Sequence, residues 1–126
     1  MKIKVALIAQ GIVSGVFGLG FIFLPVQAMG PFGPTEQMTE VFYFLTRGYG
    51  ILVLSISVLC WMGLKITEKY AKRVLAVGIG TWALLNGILF IYGIASGIVS
   101  SFSWTQVGLE LILAGLFIST FFNPEP

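Results

Sequence analysis

Four apolar runs, each long enough to cross a bilayer, constrain this chain more than any other feature. They are Val5–Leu24, a run from Val41 to Leu64, Val74–Ala95 and Trp104–Phe122. Each holds about 19 to 24 residues, and a helix rises about 1.5 Å per residue, so each spans the roughly 30 Å hydrocarbon core. The runs are too long, and alternate too little, to be strands of a membrane barrel. Pro25 closes the first run and Asn123-Pro124 the last. The expectation is an all-α integral membrane protein: one four-span domain over residues 1–126, folded as an antiparallel four-helix bundle.

Composition supports that solvent. The chain is 57% hydrophobic and only 10% charged, against about 25% charged in soluble domains. Too few polar side chains remain to cover a water-facing surface of this size. The chain contains no histidine and a single cysteine, Cys60. The commonest metal ligand and general base are therefore missing, and no disulfide can form within one chain. Neither a metal site nor a cofactor is expected. The basic residues are too few and too short in run for nucleic acid.

The placement of charge sets the expected orientation. Lys2 and Lys4 precede the first run, and Lys65, Lys69, Lys72 and Arg73 lie around the link between the second and third. The first outer link carries Glu36 and Glu40 and no base. The positive-inside rule then puts both termini and the middle link in the cytoplasm. The start of the chain and Val26-Gln27-Ala28 are similar to a signal peptide and its cleavage site. An apolar stretch of about 20 residues exceeds the usual ~7–15, so an uncleaved first span is expected; cleavage would leave three.

Local signals mark the helix ends. Ser103 and Gln106 have the S-x-x-Q spacing of a capping box. Thr35 and Thr67 are candidate caps for the second and third helices. The outer link, with its Gly-Pro turns, suggests a folded lid or a short interfacial helix. Gly11, Ser14, Gly15 and Gly18 in the first run, and Gly93 and Gly97 in the third, have the small-residue spacing that lets helices approach closely. Trp61, Trp104, Tyr43 and Tyr70 lie near expected interfaces and read as belt anchors, and mid-span Trp82 as packing.

The exception to an apolar interior is a small set of polar residues. Arg47 and Glu110 have opposite charge and both fall in the outer half of their helices. A charge at the bilayer centre costs ~2.5–3.5 kcal/mol on insertion scales, which facing an opposite charge lowers. The expectation is a cluster of Arg47, Asn86, Gln106 and Glu110. Gln106 lies one turn from Glu110 on the same face. Counted from the cytoplasmic ends, Arg47 and Glu110 differ in depth by about 9 Å, and Asn86 can bridge them. Gln10 lies nearer the cytoplasm, apart from this set. Two readings stay open: a structural role, in which Arg47 either fixes helix register as an ion pair or snorkels to outer headgroups, or a polar pocket in which Arg47 holds an oxygen and Glu110 exchanges a proton.

In "FLP" (Phe23–Pro25), Arg47-Gly48 early in the second run, "KYAKR" (Lys69–Arg73) and a polar residue in the third, the chain resembles small bacterial four-span proteins of the DoxX-like group. That resemblance implies a bacterial inner (plasma) membrane protein, and for the DoxX group proper a membrane subunit of quinone-dependent oxidoreductase complexes. It supplies no active-site residue. The function expected is a non-enzymatic membrane subunit, or a protein that binds a lipid or quinone-like molecule. Its partners would be the bilayer, a membrane protein or a second copy, and an apolar small molecule. The alternative is a dimeric proton-coupled transporter using Glu110. Small multidrug transporters, similar in length and span number, carry their essential glutamate in the first span, where this chain has only Gln10. An enzyme acting on lipid through Arg47 and Glu110 is the third reading.

Overall fold

A computed structural model describes residues 2–33 and 39–122, with side chains for 3–33 and 39–120. Every described element is helical. The order is α1 (Lys2–Phe23), α2 (Pro25–Met29), a 3-10 turn (Gly30–Phe32), α3 (Glu40–Gly63), α4 (Lys69–Ala95) and α5 (Ser103–Phe122). The helix count is thus five rather than four, because the outer link folds a short helix of its own. Pro25 explains the break: it cannot continue α1, disfavours helical backbone at Leu24, and suits the first position of a new helix. Among the described residues, α1 from Ile3, α3 and α4 are long and apolar enough to cross a membrane. Helix α5, with Gln106 and Glu110 in its first two turns, is not among them.

Helix ends differ in part from their sequence signals. Thr39 caps α3 by accepting from Phe42 N at 3.3 Å; Thr35 lies outside the described residues. Glu68, not Thr67, caps α4, accepting from Tyr70 N at 2.9 Å and Ala71 N at 2.6 Å. The carboxylate reaches two free backbone donors where a threonine reaches one, and these bonds hold the Glu68 carboxyl below its ordinary pKa. The capping box at Ser103 does not form. Ser103 Oγ is buried without a hydrogen-bond partner, and Gln106 turns down its own helix to Glu110 instead.

The helices associate as two pairs. The main packing is α1 on α3 and α4 on α5, with a smaller α1–α5 seam. Sequence neighbours α3 and α4, although joined by a short link, touch little. This differs from an antiparallel bundle in which short links make every neighbouring pair pack. In the α1–α3 pair Gly11 faces Trp61, Gly15 faces Ser57 and Gly18 faces Leu54, a descending register that makes the pair antiparallel. A Cβ at Gly18 would lie 2.8 Å from Leu54 N, so only glycine permits this approach. Ser57 Oγ seals the contact by donating to Gly11 O at 2.6 Å.

The stripe that seats α4 on α5 is Gly80, Ala83 and Gly87, not Gly93 and Gly97. A Cβ at Gly80 would lie 2.9 Å from Phe117 Cβ, and one at Gly87 3.1 Å from Leu111 Cδ2. Gly93 meets the Val99 side chain of the following link. Gly97 lies beyond α4 at φ 72°. There Ile98 N donates to Gly93 O and Gly97 N to Ile94 O, the paired bonds of a Schellman stop, which needs a left-handed residue.

Each end of the bundle has its own filling. Ile3, Leu7, Cys60, Ile79, Leu113 and Phe117 form the core at the end that carries the middle link. At the other end Phe32, only 4% exposed, acts as a plug. Its ring lies 5.7 Å from both Phe90 and Phe102 and 6.4 Å from Phe17. Ser100 holds the plug by donating from N to Phe32 O at 2.7 Å and from Oγ to Pro31 O at 2.6 Å.

Candidate functional site

Two cavities that share Phe32 in their lining lie side by side between α3 and α4. The inner one, about 20 Å³, is closed in by aromatic rings and five polar side chains: Ser14, Tyr49, Asn86, Gln106 and Glu110. The outer one, about 400 Å³, is almost wholly apolar. Its rim residues Leu45, Leu89 and Ile98 are exposed, so it opens to the outside between the two helices. Tyr49 and Asn86 line both cavities and stand at their junction.

Three of the four expected cluster residues come together. Gln106 and Glu110 sit one turn apart on the buried face of α5, and Gln106 Nε2 donates to Glu110 Oε1 at 3.0 Å. Asn86 reaches the same cavity from α4. Glu110 is 3% exposed, and its second oxygen, Oε2, has no hydrogen-bond partner. In an apolar interior such an acceptor costs about 1–3 kcal/mol, and more if charged.

Arg47 is the exception. It is exposed and lines neither cavity, so the expected pairing with Glu110 does not form. Helical geometry gives the reason. The inward face of α3 is Thr46, Gly50, Val53, Ser57 and Cys60. At roughly 100° per residue, Arg47 falls about 100° to one side of that face and Tyr49 about 60° to the other, toward α4. Tyr49 therefore takes the place assigned to arginine. Its hydroxyl donates to Asn86 Oδ1 at 3.1 Å, and its ring lies 5.5 Å from Phe21 and 6.0 Å from Trp82.

Sequence reasoning missed Tyr49, Ser14 and the link to Gln10. A signal existed for Tyr49: a mid-span phenol must find a partner for its hydroxyl, which an all-apolar neighbourhood would deny. Ser14 was placed in the α1 packing strip with Gly11, Gly15 and Gly18, but it faces the inner cavity instead. It accepts from Gln10 Nε2 at 2.6 Å, so Gln10 is joined to the polar set rather than apart from it. Gln10 is 1% exposed and its Oε1 has no partner. Trp82, read as packing, also lines the inner cavity.

The arrangement is suited to binding. It offers hydrogen-bonding groups at the foot of an apolar chamber, with Cys60 away in the other core. Among the described residues no group of three His, Cys, Asp or Glu is placed to hold a metal ion. No protein-family model, curated protein or solved structure matches this chain.

Proposed function

We propose that this chain is a four-span inner-membrane protein, with α5 as its fourth span, that holds an apolar small molecule of lipid or quinone-like character between α3 and α4. The carrying observation is the chamber of about 400 Å³, with largely apolar walls and with Tyr49 and Asn86 where it meets the inner cavity. Cavities of about 300–1,000 Å³ with few convergent polar groups are the usual form of small-molecule sites.

Lipid as the surrounding solvent is supported by the outward faces. Val5, Ile12, Val16, Leu19 and Phe23 of α1 are all exposed, as are Ile51, Leu52, Val58, Leu59 and Met62 of α3. Apolar faces of that extent are unstable in water and at ease among acyl chains. The clustered bases Lys65, Lys69, Lys72 and Arg73 support a cytoplasmic middle link. Arg47, about 10 Å below the start of α3, is within reach of outer headgroups along its own stem. The DoxX-like layout fits this reading and rests on the residues quoted for it.

Two measurements test it. Native mass spectrometry of protein extracted gently from its own membrane should show a retained apolar small molecule; uniformly bare protein overturns the binding reading. In a Cys60→Ala background, Lys69→Cys should label from the cytoplasmic side and Ser101→Cys from the opposite side. Labelling of both from one side removes the four-span topology.

A further inference from the structure

The chamber's occupant has a chemistry that the inner cavity specifies, if the binding reading above holds. Glu110 lines the inner cavity, and its Oε2 is buried and unpartnered. A protein interior rarely leaves such an atom without a partner. The cavity that Glu110 lines holds about 20 Å³. A water molecule needs about 10–15 Å³ of such space, so one oxygen fits and a phosphate, a sugar or a choline does not. The two cavities share Phe21, Phe32, Phe90, Tyr49 and Asn86. Whatever lies in the outer chamber therefore abuts the inner cavity.

We infer that the site takes an apolar molecule ending in a single hydroxyl, an alkylphenol or a long-chain alcohol, whose oxygen enters the inner cavity and pairs with Glu110. A hydroxyl is a one-heavy-atom group that both donates and accepts without carrying charge, so it satisfies Oε2 whether the carboxyl is ionised or protonated. An ether or ketone only accepts, and a hydrocarbon does neither. The space is also the size of one water molecule, which an incoming hydroxyl would replace like for like. The Tyr49–Asn86 bond lies across the junction and must yield or swing as the hydroxyl passes.

The test uses 4-nonylphenol and, as its hydroxyl-free counterpart, nonylbenzene, titrated into the full chain in lipid nanodiscs. Bound probe is counted by native mass spectrometry. The phenol should bind at least tenfold more tightly than nonylbenzene, and in Glu110→Leu the two should bind alike. Should that variant fail to fold, infrared difference spectra of the unmodified protein carry the test. Nonylphenol should shift a carboxyl or carboxylate band that nonylbenzene leaves still, and Glu110→Gln should lack that band. Equal binding of both probes to the unmodified protein, or no band shift, overturns the hydroxyl inference and leaves the chamber reading standing. Binding of neither probe overturns both.

Discussion

The Tyr49 hydroxyl lies 3.1 Å from Asn86 Oδ1 and ties α3 to α4, two helices that otherwise touch little. Both side chains line the two cavities. Tyr49→Phe removes the donor and keeps the ring. It should lower stability by about 0.5–1.5 kcal/mol, read as a fall of a few degrees in melting temperature in detergent. An unchanged melting temperature would show that the two side chains do not depend on each other.

Glycine should be tolerant or intolerant according to what stands in front of it. Gly50→Ala puts a Cβ 2.8 Å from Phe21 Cβ and 2.9 Å from Gly18 O, and should cost about 1–3 kcal/mol. Gly78→Ala has open space in front of it within α4 and should be neutral or stabilising, by up to about 1 kcal/mol. Parallel thermal melts of the two variants provide the check, and equal effects would contradict the α1–α3 crossing.

Arg47→Leu should leave stability unchanged or slightly raised, since the side chain is exposed and joins no cavity. Glu110→Leu should behave differently, because Gln106 Nε2 then loses its acceptor inside the bundle. Chemical or thermal unfolding of both would decide. A loss on Arg47→Leu of several kcal/mol, as for breaking a buried ion pair, would restore the arginine to the cluster.

Glu68 should make stability depend on pH. Its carboxyl is held below the ordinary range by the bonds from Tyr70 N and Ala71 N. A depressed folded-state pKa stabilises fully above the unfolded value, and that stabilisation is lost as pH falls through the folded value. Melting temperatures of the unmodified chain and of Glu68→Ala should therefore differ above roughly pH 5 and converge in acid. A gap that persists unchanged below pH 3 would show that the cap does not act through its charge.

Much of this architecture was legible because long apolar runs leave the backbone few options. Long apolar runs bounded by Pro25 and a basic link read as helices, and α1, α3, α4 and α5 lie close to them. The Gln106–Glu110 contact followed from an i, i+4 spacing. What escaped was rotation about each helix axis. Arg47 and Tyr49 are two residues apart and fall on opposite flanks of α3, a difference that an all-apolar helix does not encode in its pattern. The same ambiguity moved Ser14 from a packing strip to a cavity wall, and hid the Gly80–Ala83–Gly87 stripe behind the more conspicuous Gly93 and Gly97. Cap identity escaped for another reason. Ser103 has the right spacing, but Gln106 is claimed by the buried Glu110, and a local signal yields to that tertiary demand.

The division into an α1–α3 pair and an α4–α5 pair has a consequence for where the cavities belong. Each pair is a hairpin closed by its own small-residue crossing, so each is largely packed within itself. The hollow between them belongs to neither. It arises only when the second hairpin docks along the α1–α5 seam and Ser100 latches onto the Pro31–Phe32 turn. The cavities are thus a property of the assembled whole, and the two halves, produced as separate polypeptides, would have to associate before either cavity exists.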